Sequence, residues 1–253
     1  MNLVTPSYSS SPWLIHPVPA VRSRQLYCFP YAGGSASSFA NWQKHLGALA
    51  DVYGVQLPGR GTRFSEPPLV SMDHVVTPLA ECIAQDVRGP FFFFGHSLGA
   101  LVAFEVSRKL QAWGLPPEKL FVSGCNAPPL FNLDRGTMAL DDHSLTIWLR
   151  KNNGTPTDVL ENREFMALLI PLIRADLHMA RSYTYRPGPA LQCPIIVLNG
   201  TGDFQVSPDK TNRWAEETAS PCRTHSFEGD HFFINTQLDA VIACLKREMA
   251  TST

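Results

Sequence analysis

A serine hydroxyl is a poor nucleophile until a base takes its proton. Gly95-His96-Ser97-Leu98-Gly99 offers such a serine in a G-x-S-x-G frame. The frame is short and carries little weight alone, so its surroundings decide its meaning. It follows the apolar run Pro90–Phe94 (PFFFF) and opens a helical pattern, Leu98–Trp113, with Leu98, Leu101, Val102, Val106 and Leu110 at helical spacing. A serine at a strand-to-helix turn sits on strained backbone, and glycines on both sides let strand and helix pass closely. The helix N-terminus also aims free N–H groups and a positive dipole end at the place where negative charge develops in acyl transfer.

A base and an orienting acid complete this chemistry, and serine, acid, histidine is one chain order that such triads take. Asp203 follows the apolar run Pro194–Leu198 in Asn199-Gly200-Thr201-Gly202-Asp203, and His231 follows Arg223–Phe227 in Glu228-Gly229-Asp230-His231-Phe232-Phe233. Both positions fall just past strand C-terminal ends, the edge where open α/β sheets carry their sites. The rivals fit less well. His225 lies inside the last strand run, and His96 flanks the serine and is expected to point away from it. His16, His45 and His74 precede the serine, while His143 and His178 fall in a helical stretch. Asp209 follows Pro208 as a first-turn helix charge, and Asp230 adjoins His231 too closely to pair with it. Two backbone N–H groups should stabilise the oxyanion. One is that of Leu98. The other is expected from the loop Phe29-Pro30-Tyr31-Ala32-Gly33-Gly34-Ser35, with Ala32 as the first choice and Tyr31 the alternative.

The elements that position these groups are legible as an alternation. Gln25–Pro30, Asp51–Leu57, Pro90–Phe94, Lys119–Ser123, Pro194–Leu198 and Arg223–Phe227 read as strands, four of them near-continuously apolar, as in a parallel sheet buried on both faces. Ser37–Leu49, Met72–Asp86 (with Ser71 as its cap) and Leu98–Trp113 read as helices. This alternation predicts an α/β fold with a mostly parallel central sheet flanked by helices. It breaks between Cys125 and Gly188, where helical patterns at Asp142–Asn153 and Arg163–Ser182 appear without a strand, and Pro171 is expected to kink or divide the second. The expected organisation is one discontinuous core, 1–126 and 189–253, carrying a helical lid insertion at 127–188, after a loose Ser- and Pro-rich lead-in.

Composition narrows the function classes. Lys plus Arg is 21 against 22 Asp plus Glu, a balance that argues against a nucleic-acid binder. The six cysteines are at least 22 residues apart, with no zinc-ribbon spacing, and reduced thiols are expected. No metal site is expected. The N-terminus has neither the basic nor the apolar region of a signal peptide, and no apolar stretch reaches membrane-spanning length. A cytoplasmic monomer without membrane attachment is the expectation.

Taken together, Phe29–Ser35 (FPYAGGS), Gln56–Arg63 (QLPGRGTR) with Glu66-Pro67, GHSLG, GTGD and EGDHFF resemble the type II thioesterases. These are the discrete α/β-hydrolase editing enzymes of polyketide synthases and nonribosomal peptide synthetases. The similarity runs from about residue 25 to residue 235. The family usually has His where this chain has Tyr31, which changes a side chain but no backbone donor. The resemblance implies the α/β-hydrolase fold, a triad at Ser97, Asp203 and His231, and a lid in the helical insertion. It also implies an acyl thioester substrate on the phosphopantetheine arm of a carrier protein, and no cofactor of the enzyme's own. Tyr31, Met138, Trp148, Phe165, Met166, Leu169, Ile173 and Met179 are candidates for the acyl pocket. Arg60, Arg63, Arg150, Lys151 and Arg181 are candidates for a basic rim facing an acidic carrier. A medium-chain fatty acyl carrier thioesterase and a carboxylesterase or lipase of the same fold are the alternatives, with a non-catalytic binding protein of that fold more remote.

Overall fold

The computed structural model describes residues 11–16, 22–131 and 141–251. Strands β1 (Leu14–Ile15), β2 (Gln25–Phe29), β3 (Asp51–Val55), β4 (Phe91–His96), β5 (Lys119–Ser123), β6 (Ile195–Gly200) and β7 (Cys222–Phe227) form one sheet in the order β1-β3-β2-β4-β5-β6-β7. Only β1 runs antiparallel to its neighbour, with Leu14 opposite Val55. Every other pairing is parallel. The helices are α1 (Trp42–Leu46), α2 (Met72–Asp86), α3 (Leu98–Ala112), α4 (Asp142–Asn152), α5 (Thr157–Glu161), α6 (Arg163–Ser182), α7 (Pro208–Thr211), α8 (Phe233–Thr236) and α9 (Leu238–Ala250).

The run of phenylalanines shows why the centre of the sheet reads as continuously apolar. Successive strand residues point to opposite faces. Phe91 and Phe93 therefore enter one core with Tyr27, Phe29 and the inner faces of α2 and α3. Phe92 and Phe94 enter the other with Leu26, Cys28, Trp42 and the inner face of α9. Each phenyl contributes on the order of 2–3 kcal/mol of transfer free energy, so β4 is anchored from both sides. Its C-terminal end is held rigidly at the sheet centre.

Helices α4, α5 and α6 lie between β5 and β6 and have a small core of their own, Leu145, Leu149, Met166, Ile170, Ile173 and Leu177. Within α6 these residues recur at three- and four-residue spacing, one stripe of the helix.

Four local expectations are corrected. Leu14–Ile15 is a strand inside the stretch read as a loose lead-in. The helix expected over Ser37–Leu49 is a 3₁₀ turn at Ala36–Phe39 followed by the short α1. Serine side chains there bond the local backbone, with Ser35 Oγ accepting from Ser37 N–H, and so favour turns over a continuous helix. Ser71 precedes α2 but its side chain makes no capping bond. Pro171 does not divide α6, which runs as one helix. Pro171 and Ala167 are both exposed, so the Ala167 carbonyl that loses its donor faces water.

Candidate active site

Ser97 joins β4 to α3 with φ 54° and ψ −121°, one of two non-glycine residues at positive φ among those described. The strain is held by its neighbours. The Ser97 N–H donates to the Ser123 carbonyl of β5 at 2.8 Å, and the Ala100 N–H returns to the Ser97 carbonyl at 3.0 Å. A Cβ on Gly95 would lie 2.4 Å from the Gly99 carbonyl oxygen, and one on Gly99 would lie 2.1 Å from that of Phe29. Neither position admits a side chain, because three backbones meet there. Leu98 is the first residue of α3, so its N–H has no carbonyl four residues back within the helix.

His231 and Asp203 meet at the same sheet edge, beyond β7 and β6. The His231 Nδ1 lies 2.7 Å from Asp203 Oδ2, with both residues buried. The other carboxylate oxygen accepts the Gln205 N–H at 2.9 Å, which fixes its rotation. A carboxylate has no proton to give, so Nδ1 donates, and in the neutral ring Nε2 is the acceptor nitrogen. His96, the residue before Ser97, lies 4.9 Å from His231 ring to ring. Its Nδ1 shares a 2.9 Å hydrogen bond with Ser123 Oγ. Burial first, and then the nearby His231, hold the His96 imidazole well below the usual histidine range. His96 is therefore a neutral wall beside His231. His225 is engaged elsewhere, 3.0 Å from Glu248. Asp230 accepts from the Phe232 N–H and from Asn153, and Asp209 sits in the first turn of α7.

The loop after β2 turns tightly. The Gly34 N–H donates to the Tyr31 carbonyl at 2.8 Å, and Gly33 has φ +78°. This left-handed setting at the third position of a turn favours glycine. The Gly33 N–H donates to Asp176 Oδ2 at 2.7 Å, that of Ser35 to Ser38 Oγ at 3.4 Å, and that of Ala36 to Gln56 Oε1 at 3.2 Å. Among the described residues, these commitments leave the N–H groups of Tyr31 and Ala32 for another acceptor.

A cleft of about 250 Å³ lies between this loop and the helices α4 to α6. Tyr31, Ala32, Trp148, Leu169 and Ile173 line it, together with Phe232, which no sequence signal singled out. Phe232 adjoins His231, and its ring packs at 5.0 Å on Tyr31. Neither Ser97 nor His231 forms its wall. Three pocket candidates lie elsewhere. Phe165 faces outward and is 57% exposed, Met166 fills the small core of the helical segment, and Met179 is fully buried in the core that holds α2 and α3. Helical spacing identifies an apolar stripe, but α6 is long enough for one stripe to serve several neighbours. Met138 lies outside the described residues.

The basic rim also needs correction. Arg60 is buried and forms a two-bond pair with Asp176, both bonds 2.7 Å. Arg63 is buried, bonds Glu66, and lies over the Trp13 ring at 4.2 Å. Arg150 and Lys151 are exposed at the end of α4, with Lys151 4.8 Å above the Phe204 ring.

A larger cavity of about 670 Å³ lies between the start of α2, the end of α3 and the chain after α6. Asp73, Glu105, Arg108, Lys109, Tyr183 and Arg186 line it. Among the described residues no three His, Cys, Asp or Glu side chains gather to hold a metal, and no helix is long and apolar enough to cross a membrane. The six cysteines form no disulfide.

Residues 24–249 match the thioesterase domain family model. Linear gramicidin dehydrogenase LgrE of Brevibacillus parabrevis is 35% identical over 94% of this chain and 92% of its own length. Thioesterase PikA5 of Streptomyces venezuelae is 38% identical over 88% of this chain and 79% of its own length. The solved type II thioesterase BorB from the borrelidin biosynthetic cluster is 36% identical, with a TM-score of 0.87 over 94% of this chain and 97% of that one.

Proposed function

The chain belongs to the thioesterase family, and from that membership we propose that it hydrolyses acyl groups from the phosphopantetheine arm of carrier-protein domains. The setting would be editing or release in nonribosomal peptide or polyketide synthesis, the pathways that the names of its relatives indicate. One observation carries the reading: a buried His231–Asp203 pair at the same edge of the parallel sheet as a strained serine at a strand-to-helix elbow.

In the proposed mechanism Ser97 Oγ attacks the thioester carbonyl while His231 Nε2 takes its proton. Asp203 holds the ring in the required tautomer and stabilises its charged form. The oxyanion accepts from the Leu98 and Ala32 N–H groups, each such donor being worth on the order of 10²–10³ in rate. The tetrahedral intermediate collapses, the C–S bond breaks, and the carrier thiol leaves with the proton from His231. Water then attacks the acyl-enzyme, giving up a proton to His231, and the free acid and Ser97 are released. Every proton moves between named groups, so the reaction needs no metal or cofactor of the enzyme's own.

The helical segment would act as a lid over the 250 Å³ cleft, which would take the acyl chain, while exposed Arg150 and Lys151 would face an acidic carrier. The proposed organisation remains a single discontinuous core with 127–188 inserted, working as a cytoplasmic monomer. Ser97→Ala tests the reading. Release of acid from an acyl-loaded carrier protein should fall at least about 10³-fold with the circular dichroism spectrum unchanged. Near-normal hydrolysis would exclude Ser97 as nucleophile. A higher rate on a p-nitrophenyl ester than on the loaded carrier would favour a carboxylesterase.

A further inference from the structure

A buried charge pair lies outside the triad. Asp176 on α6 is fully buried and Arg60 nearly so. Arg60 offers both terminal nitrogens to the two Asp176 oxygens at 2.7 Å, donates to the Gly34 carbonyl at 3.2 Å, and reaches the Pro58 carbonyl through Nε at 3.3 Å. Asp176 Oδ2 also accepts the Gly33 N–H at 2.7 Å. One ion pair thus grips the turn after β2 from both sides, by an N–H and by a carbonyl of adjacent residues. Helix α6 adds apolar contact from the same face. Leu169, Ile173 and Asp176 follow one another at spacings of four and three, and Ile173 packs so closely over Gly33 that a Cβ there would lie 2.7 Å from it.

Burying two charges is costly, and an apolar pair of similar volume often gives equal or greater stability. Stability is therefore a weak reason for this pair. Geometry is a better one. An oxyanion donor works only when pre-aimed, and an error of a fraction of an ångström weakens it. The Ala32 N–H lies one residue before the gripped Gly33, on a loop whose only side-chain ion-pair anchor among the described residues is this one.

We propose that Arg60 and Asp176 are positioning residues that hold the Tyr31–Gly34 turn so that the Ala32 N–H is aimed at the oxyanion, and that they tie this aim to helix α6. The inference rests on the proposed hydrolysis and assigns a role to two residues outside the triad. It also gives α6 a second task. Besides covering the cleft, the helix completes the site through Asp176, so displacing α6 releases the Gly33 N–H and lets the turn relax.

The test compares wild type, Asp176→Asn and the apolar double variant Arg60→Met with Asp176→Leu. Two quantities are read: kcat and KM on an acyl-loaded carrier, and affinity for an alkyl boronic acid, which forms a tetrahedral adduct with the serine. Asp176→Asn should lower kcat about 10- to 100-fold with KM changed less than about threefold, and weaken the boronate by a similar factor. The double variant should regain the wild-type melting temperature while kcat and boronate affinity stay low, because no acceptor remains for Gly33. A double variant with both stability and wild-type kcat would overturn the proposal, since the pair would then be only a core element. So would Asp176→Asn variants that melt lower yet keep kcat and boronate affinity per folded molecule. A wild type that binds boronate and releases no acid would instead overturn the carrier-thioesterase reading, while the boronate arm would still decide the positioning role.

Discussion

Of the two clefts described among these residues, the larger does not have the serine in its lining. The 670 Å³ cavity is lined by charges of both signs, several already partnered: Arg108 with Glu105, and Glu105 with the Tyr183 hydroxyl at 2.6 Å. Burial and the adjacent Glu105 carboxylate push the Tyr183 phenol above its usual range, so it stays a neutral donor. The 250 Å³ cleft has no charged side chain in its lining: aromatic and aliphatic groups share it with serines, Asn152, Thr155 and the backbone of a glycine turn. One of its walls, Phe232, is the chain neighbour of the histidine in the buried histidine–carboxylate pair. Volume measures only the space left by packing. Reactivity follows from groups whose conformations cost energy and are held in place by their neighbours.

Three substitutions test this contrast. The largest effect is expected at Asp203, beside the smaller cleft. Asp203→Asn offers an amide to Nδ1, which can select the wrong tautomer, and kcat should fall on the order of 10⁴-fold with the fold intact. Stopped-assay kinetics on an acyl-loaded carrier would check this, and a loss below tenfold would remove Asp203 from the triad. Next, Trp148→Ala enlarges the smaller cleft. The ratio of kcat/KM for a long acyl chain to that for a short one should rise about tenfold, as one or two methylenes' worth of discrimination is lost. An unchanged chain-length profile would mean that the acyl group lies elsewhere. The smallest effect is expected at the larger cavity. Tyr183→Phe removes a hydrogen bond to a carboxylate and should cost about 1–3 kcal/mol of stability, seen as a lower melting temperature, with kcat/KM within about twofold of wild type. A tenfold loss of kcat/KM there would reverse the contrast between the two clefts.

The parts of the site that could be read from the sequence are those coded by neighbours in the chain. The elbow at Ser97 is announced by five consecutive residues between a strand and a helix. Asp203 and His231 stand out because strand runs and glycines lead directly into them. Arg60 and Asp176 could not be read this way. They are 116 residues apart, and a lone arginine in a loop looks like surface charge until its partner is seen. Phe232 was hidden for a similar reason: it becomes a cleft wall only when α4 and the turn after β2 are brought to it. Leu14–Ile15 was missed because two residues show no period. Met179 shows the limit of a helical stripe, which tells that a residue is covered and not by what.

The order of strands in the sheet has a consequence in time. Synthesis delivers β1 to β5 first, with Ser97 already on its elbow between β4 and β5, whose Ser123 carbonyl holds it. Asp203 arrives only after β6, and His231 a further 28 residues later, past β7 at the sheet's growing edge. A nascent chain halted after α6 would expose the serine without its proposed base. The three proposed catalytic groups therefore come together only when the last two strands dock.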